Sequence, residues 1–256
     1  MGWRDIARRV APAFVRRRRI AASHDHQVAV AGEPELARLS DFVKSGDLCL
    51  DIGANAGVYA WALARLGARV VAFEPNPRMA DIVDLLGNPS IEMRRIALSD
   101  REGTATLTLP GGDTGLATLG DHHATDDPAF AVATQRLDDL GLEGVRFIKI
   151  DVEGHEEAVL AGAAALIARD QPTLLVEIEE RHNSGGLARI VAQLAGYSCW
   201  FLIDDGWQPL AAFDAAVHQD ERAIEPMSHG AHRRTCRYYN NFLFVPTGTT
   251  PPGTHG

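Results

Sequence analysis

The strongest constraint on the fold is a short run that predicts a buried strand, a tight turn and the start of a helix. The run is Leu48-Cys49-Leu50-Asp51-Ile52-Gly53-Ala54-Asn55-Ala56-Gly57, with apolar residues at alternate strand positions. Glycine adopts left-handed backbone angles freely, and asparagine tolerates them almost as well. We therefore expect Gly53 and Gly57 to let a ligand approach the backbone. The helix of residues 58–66 should aim its free N–H groups at that ligand.

A carboxylate follows the next predicted strand, about 20 residues after the turn. Residues 70–73 are apolar, and Glu74 comes directly after them. An acid at this point can accept hydrogen bonds from both hydroxyls of a ribose. The turn and Glu74 together predict a cofactor that contains a nucleoside.

The residues of the turn favour S-adenosylmethionine over a dinucleotide. Dinucleotide-binding turns follow G-x-G-x-x-G, whose later glycines seat a pyrophosphate, whereas this turn reads D-x-G-x-N-x-G. The opening acid suits S-adenosylmethionine, which carries an ammonium and a sulfonium group and no phosphate. The predicted cofactor contacts of this segment are Asp51, Gly53, Ala54, Asn55 and Gly57. An NAD(P)-dependent oxidoreductase and a non-catalytic nucleoside-cofactor-binding domain stay open as alternatives.

Four motifs follow one another along the chain: Asp51-Ile52-Gly53-Ala54-Asn55-Ala56-Gly57, Phe73-Glu74-Pro75-Asn76-Pro77, Ala97-Leu98-Ser99-Asp100 and Ile148-Lys149-Ile150-Asp151-Val152-Glu153-Gly154-His155-Glu156. In order and spacing they resemble the FkbM-type methyltransferases, over roughly residues 36–246. The resemblance implies a class I S-adenosylmethionine-dependent methyltransferase that acts on a hydroxyl of a sugar, glycan or secondary metabolite. It also implies that Pro75 and Asn76 belong to the cofactor site, and that Ala97, Leu98 and Ser99 border the adenine.

The alternation of strand and helix patterns predicts the fold class. We expect an α/β domain with a doubly wound, mostly parallel, seven-stranded sheet of the Rossmann-like class I type. Before the first strand, an apolar pattern predicts a helix over residues 34–43. Residues 104–109 and 132–137 predict an added β-hairpin, with a long loop over residues 110–128 between them.

Ionisable residues follow two predicted core strands and form the candidate catalytic set. Asp151, Glu153 and His155 follow the fourth strand, and His182 follows the fifth. The carboxyl ends of such strands meet beside the glycine turn, where a base could take the proton of a hydroxyl acceptor. Two alternative interpretations stay open. Asp151 contacts only the cofactor, and Glu153 only stabilises the N-terminus of a helix.

No metal site is predicted from spacing. His122 and His123 are adjacent, so their side chains diverge, and no further ligands have suitable spacing. The carboxylates of Asp151 and Glu177 leave a divalent cation open, because oxygen ligands cannot be recognised without geometry.

Composition restricts the partners and the location. The net charge of −9 argues against nucleic acid, which requires a basic face, so we expect a small-molecule or glycan acceptor. The three cysteines occur singly, which favours a reducing cytoplasm over a disulfide framework. The sequence does not indicate an oligomeric state.

The two ends of the chain differ from the domain of residues 31–246. Residues 1–30 form a basic leader with the run Arg16-Arg17-Arg18-Arg19, and no apolar span follows it. A solvated leader is one interpretation, and peripheral contact with an anionic membrane or a partner is the other. Residues 247–256 are rich in Thr, Gly and Pro, which predicts a disordered tail.

Overall fold

The computed structural model describes residues 12–31, 33–112, 117–119, 127–181, 183–226, 232–234 and 238–254. The α-helices are α1 (Ala13–His26), α2 (Val58–Arg65), α3 (Pro77–Leu86), α4 (Glu156–Gly162), α5 (Ala164–Asp170), α6 (Gly186–Gln193) and α7 (Ala215–His218). The strands are β1 (Leu48–Ile52), β2 (Arg69–Phe73), β3 (Ile91–Arg94), β4 (Ala97–Leu98), β5 (Gly103–Thr108), β6 (Ala129–Gln135), β7 (Val145–Ile150), β8 (Thr173–Glu177), β9 (Tyr197–Ile203), β10 (Gly206–Pro209), β11 (Ile224–Pro226), β12 (His232–Arg234) and β13 (Asn241–Pro246). A π-helical segment (Gln27–Ala31) extends α1, and short 3-10 helices cover Pro34–Asp41, Pro110–Gly112, Leu137–Leu140, Leu210–Ala212 and Glu221–Ala223.

Eight strands form the central sheet, in the order β10-β9-β13-β8-β7-β1-β2-β3. The strands from β8 to β3 run parallel, and β13 pairs antiparallel with β8 and β9. The predicted doubly wound, mostly parallel α/β fold is confirmed. The sheet has one strand more than the seven predicted. Asp204 takes a left-handed conformation (φ 54°) and turns the chain back, so that β10 pairs with β9.

The sheet is covered on both faces, as is typical of parallel sheets. Successive strand residues point to opposite faces, so in β1 Leu50 and Ile52 join one core and Cys49 joins the other. Helices α4, α5 and α6 pack on the first core, and α2 with the 3-10 helix Pro34–Asp41 packs on the second. The carboxyl ends of the parallel strands stay accessible between these layers.

Local signals set the helices on either side of the site. Asn76 begins α3, where its side chain accepts a hydrogen bond from the Arg78 backbone N–H (3.1 Å), and Gly87 ends the helix with φ 55°. The helix predicted over residues 34–43 forms as the 3-10 helix Pro34–Asp41. Residues three apart share one side of a 3-10 helix, and Leu36 and Leu39 are both buried there.

The predicted added hairpin forms a separate sheet of three strands. β5 pairs antiparallel with β6 along its whole length, and β4 pairs in parallel with the end of β6. Thr108 also bridges to Thr118. Within the long predicted loop, residues 113–116 and 120–126, including His122 and His123, lie outside the described residues.

Both ends of the described chain contact the domain. Helix α1 packs on α2 and α3, while residues 1–11 lie outside the described range. The composition after Pro246 predicts disorder, but residues 247–254 make specific contacts. The backbone N–H of Trp207 donates to the Gly253 carbonyl (3.3 Å), and the Arg38 guanidinium donates to the Pro252 carbonyl (2.9 Å). Among the described residues, no helix combines the length and the apolar character needed to cross a membrane.

Candidate cofactor and active site

A cavity of about 220 Å³ lies at the carboxyl edge of the sheet, where α/β sheets of this type bind ligands. The ends of β1, β2, β7 and β8 contribute to it, and the three-stranded sheet forms one wall. Its lining residues are Ile52, Gly53, Asn55, Phe73, Glu74, Pro75, Ile96, Ala97, Leu98, Leu107, Ala117, Leu119, Asp151, Val152, Glu153, His155 and Glu177.

The glycine turn adopts the left-handed backbone that its sequence predicts. Gly53, Asn55 and Gly57 have φ angles of 80°, 47° and 85°. The sequence predicts that these glycines leave room for a ligand. In the structure they leave room for other parts of the protein, because an added Cβ atom would lie too close to protein atoms. At Gly53 it would lie 1.7 Å from the Asp151 carbonyl oxygen, and at Gly57 it would lie 2.9 Å from Val83 Cγ2. The two glycines therefore allow β1 to approach the end of β7, and α2 to approach α3.

Glu74 lines the cavity with both of its carboxylate oxygens held by backbone donors. Oε2 accepts from the Asn55 N–H (2.8 Å), and Oε1 accepts from the Asn76 N–H (2.7 Å). Burial raises the pKa of Glu74, and these two hydrogen bonds oppose the rise. A carboxylate offers about four acceptor positions, so this one can still accept two ribose hydroxyls. The geometry fits the predicted ribose ligand.

Asp51 is buried beneath α2 and does not line the cavity. The register of β1 with β7 places it beside Lys149, on the face that α2 covers. Asp51 Oδ2 accepts from the Ala60 N–H in the first turn of α2 (2.8 Å). Burial raises the pKa of Asp51 to about 7, although Lys149 and the Ala60 N–H oppose the rise. Asp51 thus lies behind the turn, and not on the cavity surface where a direct cofactor contact would require it.

Some of the remaining predicted cofactor residues line the cavity, and the others lie behind its surface. Pro75, Ala97 and Leu98 line the cavity, whereas Ala54, Gly57, Asn76 and Ser99 do not. Asn76 supports Glu74 through its N–H. Ser99 is buried, and its Oγ lies 3.0 Å from Nε2 of His155.

Three of the four candidate catalytic residues come together at the cavity. Asp151, Glu153 and His155 line it, and His182 lies outside the described residues. Glu153 has φ 45°, and its carbonyl accepts a hydrogen bond from Thr118 Oγ1 (2.9 Å), which ties the added sheet to the site. Burial lowers the pKa of His155, while Asp100 opposes this shift.

A fully buried lysine organises the acidic side of the cavity. Lys149 Nζ donates to Asn241 Oδ1 (2.9 Å) and lies 3.5 Å from Asp151 Oδ2 and 3.7 Å from Glu177 Oε2. The ammonium also lies 5.0 Å from the centroid of the Tyr59 ring. Burial alone would lower the pKa of Lys149, but Asp151 and Glu177 raise it overall, so the side chain is charged.

Glu33 joins Asp151 and Glu177, and one carboxylate oxygen of each lies within 4.8 Å of the other two. Glu33 Oε2 accepts from the Tyr59 hydroxyl (2.7 Å) and from Asn241 Nδ2 (2.8 Å). Burial raises the pKa of Asp151 well above its ordinary value, and Glu177 adds to the rise. Such oxygens could hold a divalent cation, but the Lys149 ammonium already brings a positive charge to Asp151 and Glu177.

The predicted site residues did not include Lys149, Glu33 or the wall residues Leu107, Ala117 and Leu119. Glu177 was considered only as a possible cation ligand. Lys149 carried a signal, because a lysine inside an apolar strand is seldom buried without partners. Glu33 carried none, since only the packing of the N-terminal segment brings it to β7.

The fold, the left-handed turn and the acid after β2 define a nucleoside-cofactor enzyme of the class I methyltransferase type. Residues 51–232 match the methyltransferase FkbM domain. Because the match spans most of the chain, the protein belongs to the FkbM methyltransferase family, and its cofactor is S-adenosylmethionine. The oxidoreductase alternative is thereby set aside. No curated protein sequence matches the chain significantly.

The chain is similar to several solved structures at low identity. The methyltransferase FkbM from Methylobacillus flagellatus KT is 17% identical, with a TM-score of 0.48, over 80% of this chain and 44% of that one. The precorrin-6y C5,15-methyltransferase from Geobacter metallireducens GS-15 is 14% identical, with a TM-score of 0.47, over 85% and 90%. A TehB-like SAM-dependent methyltransferase from Corynebacterium glutamicum is 13% identical, with a TM-score of 0.44, over 91% and 99%.

Proposed function

We propose that this protein is an O-methyltransferase that acts on a hydroxyl of a sugar, glycan or secondary metabolite. One observation carries the proposal: a cavity joins Glu74, the ribose acid, to the carboxylates of Asp151, Glu153 and Glu177. Carboxyl oxygens accept hydrogen bonds, so this edge suits an acceptor rich in hydroxyl groups.

Asp151 is the proposed proton acceptor. Bound S-adenosylmethionine supplies a methyl group that is activated by its sulfonium sulfur. An attacking hydroxyl oxygen must lose its proton, and a carboxylate with a raised pKa takes it more readily than an ordinary one. Lys149, which also pairs with Glu177, holds Asp151 from behind.

His155 is assigned a supporting role in this proposal. Its Nε2 lies 3.0 Å from Ser99 Oγ, next to the wall residues Ala97 and Leu98. The family resemblance puts this wall beside the adenine. His155 would therefore orient the Ser99 loop. Glu153 would bind acceptor hydroxyls.

The test compares Asp151→Asn with His155→Ala, using S-adenosylmethionine labelled in its methyl group and a panel of hydroxylated acceptors. We expect Asp151→Asn to lower kcat by roughly 10²–10⁴-fold, the usual span for a general base, while the Kd for S-adenosylhomocysteine changes little. His155→Ala should keep most of kcat, and exposed Glu143→Gln serves as the control.

The reverse pattern, with kcat lost in His155→Ala and kept in Asp151→Asn, would make His155 the base. Cofactor binding without turnover of any hydroxylated acceptor would favour the non-catalytic alternative. Methyl transfer to amines only would remove oxygen as the acceptor atom.

For the location we propose the cytoplasm, because Cys49 and Cys199 are free thiols. Contact with an anionic membrane is proposed for the basic N-terminal segment, since Arg18 and Arg19 of α1 are exposed.

A further inference from the structure

Helix α1 is docked on the two helices that follow the cofactor turn and the ribose acid. Asp25 Oδ1 accepts hydrogen bonds from Trp61 Nε1 (2.9 Å) and Arg65 Nη1 (2.8 Å), both on α2. The Arg17 guanidinium lies against Gly87 at the end of α3. These contacts make α1 a neighbour of the cofactor site.

His24 reaches from α1 into the turn itself. Its Nε2 lies 2.7 Å from the carbonyl oxygen of Ala56, and the side chain is buried, with 3% of the residue exposed. A carbonyl oxygen only accepts, so Nε2 carries the hydrogen and donates it. Ala56 precedes Gly57, whose carbonyl accepts the first backbone hydrogen bond of α2. The Ala56 carbonyl therefore takes no part in the backbone hydrogen bonds of this helix.

The turn connects this hydrogen bond to Glu74. The Asn55 N–H, one residue before Ala56, donates to Glu74 Oε2 (2.8 Å). Asn55 has φ 47°, a left-handed conformation that asparagine tolerates and that lies between the two hydrogen-bonded peptide groups. Glu74 holds the peptide group between Ala54 and Asn55, and His24 holds the peptide group between Ala56 and Gly57.

We infer that α1 is a positioning element of the cofactor site, and that His24 is the positioning residue through which it acts. By fixing the Ala56 carbonyl, His24 keeps the Asn55 N–H directed at Glu74, and so keeps the Glu74 carboxylate oriented for the ribose. The inference rests on the proposed ribose contact of Glu74. It assigns the basic N-terminal segment a function in cofactor binding, which its charge did not indicate.

The experiment measures the Kd of S-adenosylhomocysteine by calorimetry for the full chain and four variants. His24→Leu removes the donor, and His24→Gln keeps one at a similar reach. Asp25→Asn weakens the docking of α1 without touching the turn, and Glu74→Ala removes the ribose acid. Amide hydrogen exchange of residues 53–57, measured without ligand, is the second readout, and melting temperatures report on folding.

We expect His24→Leu to weaken binding about tenfold, and His24→Gln to stay within about threefold of wild type, because one hydrogen bond to a buried group is lost or kept. Exchange in the turn should rise in His24→Leu and stay at the wild-type level in His24→Gln and Asp25→Asn. Glu74→Ala removes the acceptor of the Asn55 N–H, so it should also raise exchange at that amide. Asp25→Asn should melt at a lower temperature and bind normally.

Wild-type affinity in His24→Leu would overturn the inference, and so would equal losses in His24→Leu, His24→Gln and Asp25→Asn. Normal binding by Glu74→Ala would remove the route through the ribose acid, and with it the inference, while leaving methyl transfer intact as the function. If all Kd values were as expected but the wild-type protein methylated no hydroxylated acceptor, only the proposed function would be contradicted.

Discussion

Gly53 is a residue at which the cofactor turn packs tightly against the chain that follows β7. Its φ is 80°, and the position of an added Cβ lies 1.7 Å from the Asp151 carbonyl oxygen. Gly46 has a φ of 90° and nothing within 4 Å of the same position. The two glycines share a left-handed backbone but differ in crowding. Comparing them therefore separates the cost of a left-handed side-chain residue from the cost of a clash with neighbouring atoms.

Gly53→Ala should destabilise the protein by roughly 3 kcal/mol or more, since overpacking adds to the left-handed strain. Gly46→Ala should cost only about 1–2 kcal/mol, the strain alone. Urea denaturation monitored by circular dichroism measures both free energies of unfolding. Equal losses in the two variants would mean that β1 and β7 can separate to admit the methyl group.

At the scale of elements, the 3-10 helix Pro34–Asp41 buries a carboxyl group beside the second core. Glu35 is 6% exposed, and its Oε2 has no hydrogen-bond partner among the described residues. Burial raises the pKa of Glu35 to about 8, and the nearby Glu33 carboxylate adds to the rise. The helix therefore packs most favourably when Glu35 is protonated.

This arrangement predicts a pH-dependent stability. Because the pKa of Glu35 is higher in the folded than in the unfolded protein, the folded state binds more protons between about 4.5 and about 8. The contribution of Glu35 to the free energy of unfolding should therefore fall as the pH rises through this window. Glu35→Gln should be roughly 2–4 kcal/mol more stable than wild type at pH 8 and close to it at pH 4.5.

Thermal unfolding of both proteins across this pH range tests the expectation, with exposed Glu102→Gln as the control. A Glu35→Gln protein that is no more stable than wild type at pH 8 would show that water or an unpaired charge is tolerated at this position.

At the scale of the whole molecule, charge is unevenly distributed. The chain carries a net charge of −9, yet the exposed residues Arg18 and Arg19 lie together on α1. Phe14 on the same helix is 65% exposed. Exposed arginines beside an exposed aromatic ring suit the surface of an anionic bilayer.

We expect the full chain to sediment with vesicles that contain phosphatidylserine and not with neutral vesicles. Arg18→Glu combined with Arg19→Glu should weaken this binding at least about tenfold, since each basic residue near such a surface contributes about 1 kcal/mol. Charge reversal is preferable to truncation, because removing α1 would also remove Asp25 and His24 from their contacts.

Calorimetry with S-adenosylhomocysteine provides the matched measurement, in which the double variant should equal wild type. Equal sedimentation with both kinds of vesicle, or none with either, would contradict membrane binding and favour the interpretation that the arginines are simply solvated.

The sequence by itself determined the elements whose signals are local. The strand alternation around Leu50, the left-handed Asn55, the caps of α3 at Asn76 and Gly87, and the acid after β2 all follow from neighbouring residues. The order of these elements then restricts the fold to a doubly wound sheet, and it brings Asp151 and His155 to the edge that holds Glu74.

Only the tertiary structure decided which side chains face the cavity. Asp51 lies within an apolar strand pattern, and the β1 register turns it towards Lys149 and α2. Glu74 lies just beyond its strand and reaches the ligand space. His24, Glu33 and Asn241 join the site from distant parts of the chain. Periodicity records the direction of a side chain relative to its own element, and contacts between elements depend on register and packing, which no local pattern encodes.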